Sequence, residues 1–229
     1  MFIKFILLVF FVIEISAEVV NTNRSNLWME SSEYNLLCQQ VFSSARNNIE
    51  RLDLNNSHSA ILEKYSKQRL PLAIITDIDE TILLNYKFQI ETRKRGGAFS
   101  YKLFEEYVNK KTAIAINGSV DYYQYLATKG IKIIYISNRH ISSKNKTFEH
   151  LRELGFPIES MNDLLLKNER KEWSSDKSSR REYIANKYTI IQLFGDSLKD
   201  FVSTEEQALQ NKKMFGKRWF MRSEERRVG

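Results

Sequence analysis

The chain has 229 residues, enough for one domain with a sizeable core and too few for two full ones. At 42% hydrophobic and 28% charged it has the composition of an ordinary globular protein, which excludes an intrinsically disordered chain. The formal charge of +7 arises from 35 basic residues interleaved with 28 acids, the pattern of a solvated surface rather than a nucleic-acid footprint. Such a surface can still help attract an anionic substrate.

The first segment, "MFIKFILLVFFVIEISAEVV", carries Lys4, an apolar run from Phe5 to Ile13 and then small residues ending at Ala17. This is the form of a secretory signal peptide over residues 1–17, with cleavage after Ala17, because its apolar core is short for a membrane span. The expectation is an exported protein, periplasmic or secreted. Peripheral membrane association and homo-oligomerisation stay open. Cys38 is the one cysteine, which excludes an intrachain disulfide and a multi-cysteine metal site.

Residues 25–52 read as a helix, with Leu36, Leu37, Val41, Ala45, Ile49 and Leu52 at helical spacing. Trp28 and Tyr34 read as packing residues. "NNSHSA" caps a short helix through "ILEKYSK" (61–67), with His58 a local polar residue, and Pro71 precedes a strand. That strand, "LAIIT", ends in Asp77, Asp79 and Glu80. "QIETRKRGGAFS" is a polar excursion containing Gly96 and Gly97. "SYKLFEEYVNKK" is a helix with Tyr101, Phe104 and Tyr107 on neighbouring turns, and residues 86–115 read as a substrate-side insertion. A helix over "GSVDYYQYLATKG", a strand "IKIIYIS", a helix closed by Gly155 and a strand beginning "YTIIQLFG" follow. "KMFGKRWFM" reads as a last strand. Strands alternating with helices of this length imply a mostly parallel sheet covered on both faces.

Three of these strands run into "IITDIDET", "IIYISNR" and "QLFGDSLKD". Open parallel sheets hold ligands beyond the carboxyl ends of their strands, so Asp77, Asp79 and Asp196 can converge. Clustered carboxylates need a compensating cation, and their oxygens suit magnesium. Ser137 and a lysine could then hold phosphoryl oxygens.

"DIDET", "SNR", "DKSSRR" and "GDSLKD", in that order, resemble the four motifs of the haloacid dehalogenase (HAD) superfamily. Within it the chain resembles the class C acid phosphatases of the outer-membrane lipoprotein e type, also in "LWMESSEYNLLCQQVF" and "LRELGFP". The resemblance implies an α/β fold over residues 18–221: a HAD-like Rossmannoid parallel sheet flanked by helices, with an additional helical region. It implies that Asp77 is the nucleophile and that Asp79 protonates the leaving oxygen, then activates water. It implies Mg2+ on the Asp77 side chain, the Asp79 backbone carbonyl and the Asp196 side chain. Ser137 would bind phosphate, Thr81 would support the loop, and Asp200 would orient a metal-bound water or the catalytic lysine. That lysine is Lys177, in the third motif, in preference to Lys167 in "LLLK". Arg139 and Arg180 either support the site or belong to a solvated basic surface, and Glu80 is either exposed or part of the turn. His140 either lines the mouth or is a polar loop residue, and His150 belongs to the surface of the following helix.

The implied activity is magnesium-dependent hydrolysis of small phosphomonoesters, nucleoside monophosphates among them, under acidic conditions that keep Asp79 protonated. No polymeric nucleic acid is expected as a partner. Phe104 and Tyr107 either stack on a base or pack their helix. Asn117 stands where the family usually has proline. The ending "RSEERRVG" departs from the family's segment, and residues 222–229 read as an atypical tail, either translated adapter sequence or a natural basic terminus. Two other readings are a receiver-like phosphoacceptor and a catalytically inactive secreted binding or structural protein of the same fold.

Overall fold

The computed structural model describes residues 28–54, 59–62 and 70–222. The leader, His58, most of the short helix expected over 61–67 and residues 223–229 lie outside the described residues. Among the described residues no helix is long and apolar enough to cross a membrane.

The first helix, α1 (Ser32–Arg51), starts where the Ser31 hydroxyl accepts the Tyr34 N–H at 3.1 Å. It buries Tyr34, Cys38, Phe42, Ala45 and Ile49, while Leu36 and Leu37 stay 63% and 50% exposed. The expected apolar face was therefore rotated. At 3.6 residues per turn Cys38 lies about 20° from Ala45 around the axis, Leu37 about 80° and Leu36 about 180°.

Then come β1 (Leu72–Thr76), the short β2 (Leu83–Leu84), α2 (Tyr86–Lys94), α3 (Tyr101–Asn109) and β3 (Ile114–Ala115). The polar excursion is thus largely helical in its first half, because Phe88 and Thr92 give α2 one buried side. Gly96 and Gly97, at φ +99° and +81°, then turn the chain towards α3. Next are α4 (Ser119–Thr128), β4 (Lys132–His140), α5 (Lys144–Glu153), β5 (Leu164–Lys167), α6 (Ser178–Ala185), β6 (Thr189–Gly195), α7 (Glu205–Gln210) and β7 (Trp219–Met221). The last strand is shorter than expected. Residues Lys212–Met214 form a 3-10 turn, and Gly216 at φ +74° reverses the chain before Trp219.

The main sheet runs β5-β4-β1-β6-β7 with every pairing parallel, while β2 and β3 form a separate antiparallel pair. β1 is central, and its residues alternate between two cores. Ile74 packs with Phe42 of α1 and Tyr123 of α4, whereas Ala73 and Ile75 pack with Ile184 of α6. Burial on both faces is why these strands read as continuous apolar runs. Gln192 is the polar exception inside β6. Its Nε2 donates to the Ala45 carbonyl and Asn48 Oδ1, each at 3.1 Å, and its Oε1 accepts from the Tyr122 hydroxyl, tying α1 and α4 to the sheet. His150, expected on the surface of its helix, is buried. Arg222 also belongs to the packed body, where its N–H donates to the Gly195 carbonyl at 2.8 Å and its Nη2 to the Tyr34 hydroxyl at 2.8 Å.

Candidate active site

The chain goes outward from β1 to β4 and β5, then returns to the other side of β1 as β6. The reversal leaves a crevice at the carboxyl ends of β1 and β6, the usual ligand position in an open parallel sheet. Asp77 follows β1 and Asp196 follows β6, so the topology brings them together.

Asp77, Asp196 and Asp200 are buried, and one carboxylate oxygen from each lies within 4.8 Å of the others. Lys177 reaches into this group. Its Nζ donates to Asp77 Oδ1 and, at 2.5 Å, to Asp200 Oδ1. Burial alone would lower the lysine's pKa, but Asp200 and Asp77 outweigh it and hold the ammonium above its ordinary value. Burial pushes the Asp77 carboxyl up to about 6, with Lys177 opposing and Asp200 and Asp79 adding to the rise. Three carboxylates facing one ammonium leave a formal surplus of about two negative charges. A hard divalent cation with oxygen ligands fits that surplus. Asp200 accepts the Ser197 N–H on its Oδ2 at 2.9 Å and the Lys177 ammonium on its Oδ1.

Close packing sets this loop. A Cβ added to Gly195 would lie 2.2 Å from the Asp200 Cβ, so only glycine lets the Asp200 turn fold back against β6. Thr81 donates through Oγ1 to Asp77 Oδ2 at 3.2 Å, fixing the second oxygen of that carboxylate.

The Asp79 side chain points away from the three-carboxylate group. Arg139 grips it through Nε and Nη2, with Nη2 2.8 Å from Oδ1, and Asn85 Nδ2 donates to Oδ1 at 2.9 Å. Ser137 Oγ approaches Asp79 Oδ2 at 3.4 Å. Arg139 is buried and its Nη1 donates to Thr147 Oγ1 at 3.1 Å, so it is part of the site and not of a solvated surface. Arg180 is likewise buried. Glu80 belongs to the turn and is not exposed. Its backbone has φ +58°, and its carboxylate accepts from Asn85 N–H at 3.3 Å, Asn85 Nδ2 at 3.2 Å and Gln89 Nε2 at 3.2 Å. This buried set holds a left-handed backbone residue that would otherwise be disfavoured. Asn85 carried no signal in the sequence, because an asparagine after two leucines has no motif of its own.

Asp79, Asn138, Arg139 and His140 open onto a cleft of about 740 Å³. Its far wall comes from α2, α3 and the turn between them, including Phe88, Phe99, Tyr101 and Phe104. Phe99 and Tyr101 are 57% and 73% exposed, with ring centroids 5.0 Å apart. Phe104 lines the cleft, but Tyr107 does not. Tyr107 is 4% exposed and packs 5.3 Å from the Phe88 ring, so it offers no free face for stacking. One helical turn from Phe104, it occupies the inner side of α3. Lys167 lies on the cleft wall, its Nζ 5.8 Å from the Tyr101 ring centroid, remote in role from the lysine beside Asp77.

The fold has counterparts. Two crystal structures of the class C acid phosphatase from Bacillus anthracis, one with tungstate bound, are 26% identical and superpose with a TM-score of 0.75 over 88% of this chain and 83% of theirs. The stem 31 kDa glycoprotein of Glycine max is 29% identical over 132 residues, covering 56% of this chain and 51% of that protein. Acid phosphatase 1 of Solanum lycopersicum is 27% identical over 134 residues, 57% of this chain and 52% of that protein. The chain thus spans about half the length of the curated relatives it matches. A family model described as HAD superfamily, subfamily IIIB (Acid phosphatase) matches residues 15–224, and the chain therefore belongs to that family, in its class C branch.

Proposed function

We propose that this protein is a phosphatase that hydrolyses small phosphomonoesters through an aspartyl-phosphate intermediate on Asp77. The observation that carries the reading is the contact of Lys177 with both Asp77 and Asp200 at the β1–β6 crevice, beside a cleft lined by Asp79. Lys177 and the Ser137 hydroxyl would hold the phosphoryl oxygens. An Asp77 oxygen attacks phosphorus, the ester P–O bond breaks, and Asp79 gives its proton to the leaving oxygen. Asp79 then takes a proton from water as that water attacks phosphorus, which releases phosphate and restores the Asp77 carboxylate. The Arg139 contact holds the Asp79 side chain in place. Magnesium, held by Asp77, the Asp79 carbonyl and Asp196, would neutralise charge so that a phosphate dianion can approach a carboxylate. Asp200 would position Lys177 from the opposite side. Tungstate, bound in the Bacillus anthracis relative, is a tetrahedral oxyanion like phosphate and supports an oxyanion pocket here.

The substrate class follows from the cleft. Exposed Phe99 and Tyr101, together with Phe104, suit esters with a planar leaving portion, nucleoside monophosphates among them. These side chains come from residues 86–115, which supports a substrate-side insertion within a unit spanning 18–221. Export with removal of residues 1–17 completes the reading, and the intact mass of protein from its native host checks it: a chain beginning at Met1 overturns it. Activity is tested by phosphate release from nucleotides, sugar phosphates and an aryl phosphate, with and without magnesium. Release only with magnesium, strongest from nucleotides, is expected. Absence of release from every ester by folded, magnesium-loaded protein overturns the phosphatase assignment.

A further inference from the structure

Two arginines follow Lys177 within about one turn of α6, and both are fully buried: Arg180 and Arg181. Arg180 Nη1 donates to the Ser137 carbonyl at 2.7 Å, and its Nη2 donates to Asn138 Oδ1 at 2.7 Å and to the Ser174 carbonyl at 2.9 Å. None of these acceptors is a carboxylate. Arg181 Nη1 donates at 3.2 Å to the carbonyls of Lys199 and of Asp200.

A guanidinium withdrawn from water into a neutral cradle contributes poorly to stability, and apolar side chains fill such space at lower cost. Burial pushes the Arg180 pKa down to about 10, in line with that expense. The Arg180 Nε–H is buried with no acceptor, so the cradle is not even fully satisfied. What the residue does supply is shape. A planar fork can bind three acceptors on two separate segments at once, which an ammonium cannot do in the same geometry. One segment is the end of β4, which carries the Ser137 hydroxyl. The other is the loop through Ser174 that leads into Lys177. Asn138 reinforces the same junction, since its Nδ2 donates to the Ser175 carbonyl at 2.9 Å.

We propose that Arg180 is a positioning residue that locks Ser137 and Asn138, near the end of β4, to the loop bearing Lys177, so that both phosphoryl-holding groups are in register before substrate arrives. The inference rests on the phosphatase reading for its consequence in catalysis, but the tether itself is a property of the fold. Arg181 ties the Asp200 turn to the same helix from the other side.

The test compares the full-length protein with Arg180→Lys, which keeps the charge and loses the fork, with Arg180→Ala, and with Asn138→Ala, which leaves the guanidinium in place. Amide hydrogen exchange should accelerate in residues 137–139 and 174–177 in all three, with residues 219–221 of β7 unchanged. In phosphate release, Arg180→Lys should lower kcat about 10- to 100-fold, more than it raises KM. Added guanidinium should restore part of the loss in Arg180→Ala. Wild-type exchange in the two segments of Arg180→Lys and Asn138→Ala, or a uniform rise throughout the protein, overturns the tether. A normal kcat in Arg180→Lys overturns its role in positioning. A wild-type protein inactive on every ester defeats the phosphatase reading instead, and exchange alone then decides whether the tether exists.

Discussion

At the carboxyl ends of β1 and β6, beside the cleft that Asp79 and Arg139 line, charged side chains hold one another: Lys177 binds Asp77 and Asp200, Arg139 binds Asp79, and Arg181 binds the Asp200 turn. Across the cleft, Phe99, Tyr101 and Phe104 make ring-to-ring contacts, and Phe99 and Tyr101 remain more than half exposed. The two walls answer to different demands. Buried charges are tolerable only in a closed network of partners, so each position there is tied to several others. Exposed aromatic rings need only a planar face and a rough place, so that wall can change sequence without collapsing the fold. On the function proposed above, the charged end would carry the reaction and the aromatic end would select what enters.

Substitution at the charged end should give the largest effects. Asp77→Asn and Asp79→Asn should each lower phosphate release by about 10³-fold or more in protein that still folds. Full turnover by a folded Asp77→Asn protein would erase the distinction between the two walls as well as the mechanism.

The aromatic wall divides inside one helix. Tyr107→Ala should cost about 3–5 kcal/mol of stability, as removal of a buried aromatic does, measured by denaturant unfolding. Phe104→Ala should spare stability and raise KM for a nucleotide about tenfold, the weight of one stacking contact. Equal effects of the two on KM would return Tyr107 to the binding surface.

Charge accumulation at the floor has a sign that can be measured. The folded-state pKa of Asp77 lies above its unfolded value, so in chelator the folded protein binds more protons and loses stability as pH rises from about 4 to above 6. Added magnesium should raise the melting temperature more above that window than below it. A melting temperature that rises with pH in chelator would contradict the burial of Asp77.

Gly195→Ala tests packing alone. It should cost about 1–3 kcal/mol and displace Asp200, lowering turnover, because the new methyl group collides with the Asp200 side chain. Smallest of all, Leu37→Gln on the exposed side of α1 should shift stability by less than about 0.5 kcal/mol, whereas a loss of several would restore the face expected from spacing.

Much of the charged end was legible in the sequence because the chemistry demands particular residue types just after buried strands. Asp77 and Asp196 stand out on those grounds, and the parallel topology then brings them together, whereas Lys177, just before α6, was marked out by the resemblance of "DKSSRR" to the third family motif. Arg139 and Arg180 were ambiguous, since an arginine in a polar stretch of sequence reads the same whether it faces water or buried acceptors. Glu80 and Asn85 were opaque for a related reason: their roles consist of hydrogen bonds to each other and to α2, formed only once that helix packs.

By itself the sequence determined the alternation of strands and helices, because continuous apolar runs bounded by turns admit few other arrangements, and it determined which strand ends carry acids. Only the tertiary structure decided which side of a helix faces inward, because α1 carries apolar residues around more than half its circumference, and on α3 Phe104 and Tyr107 share one apolar side about 60° apart. Packing against β1 and β6 drew Phe42 inward and left Leu36 outside. Packing against Phe88 drew Tyr107 inward and left Phe104 at the cleft. The partners of each buried charge were settled the same way, since hydrogen bonds across dozens of residues exist only after the sheet has brought their donors and acceptors within 3 Å or so of one another.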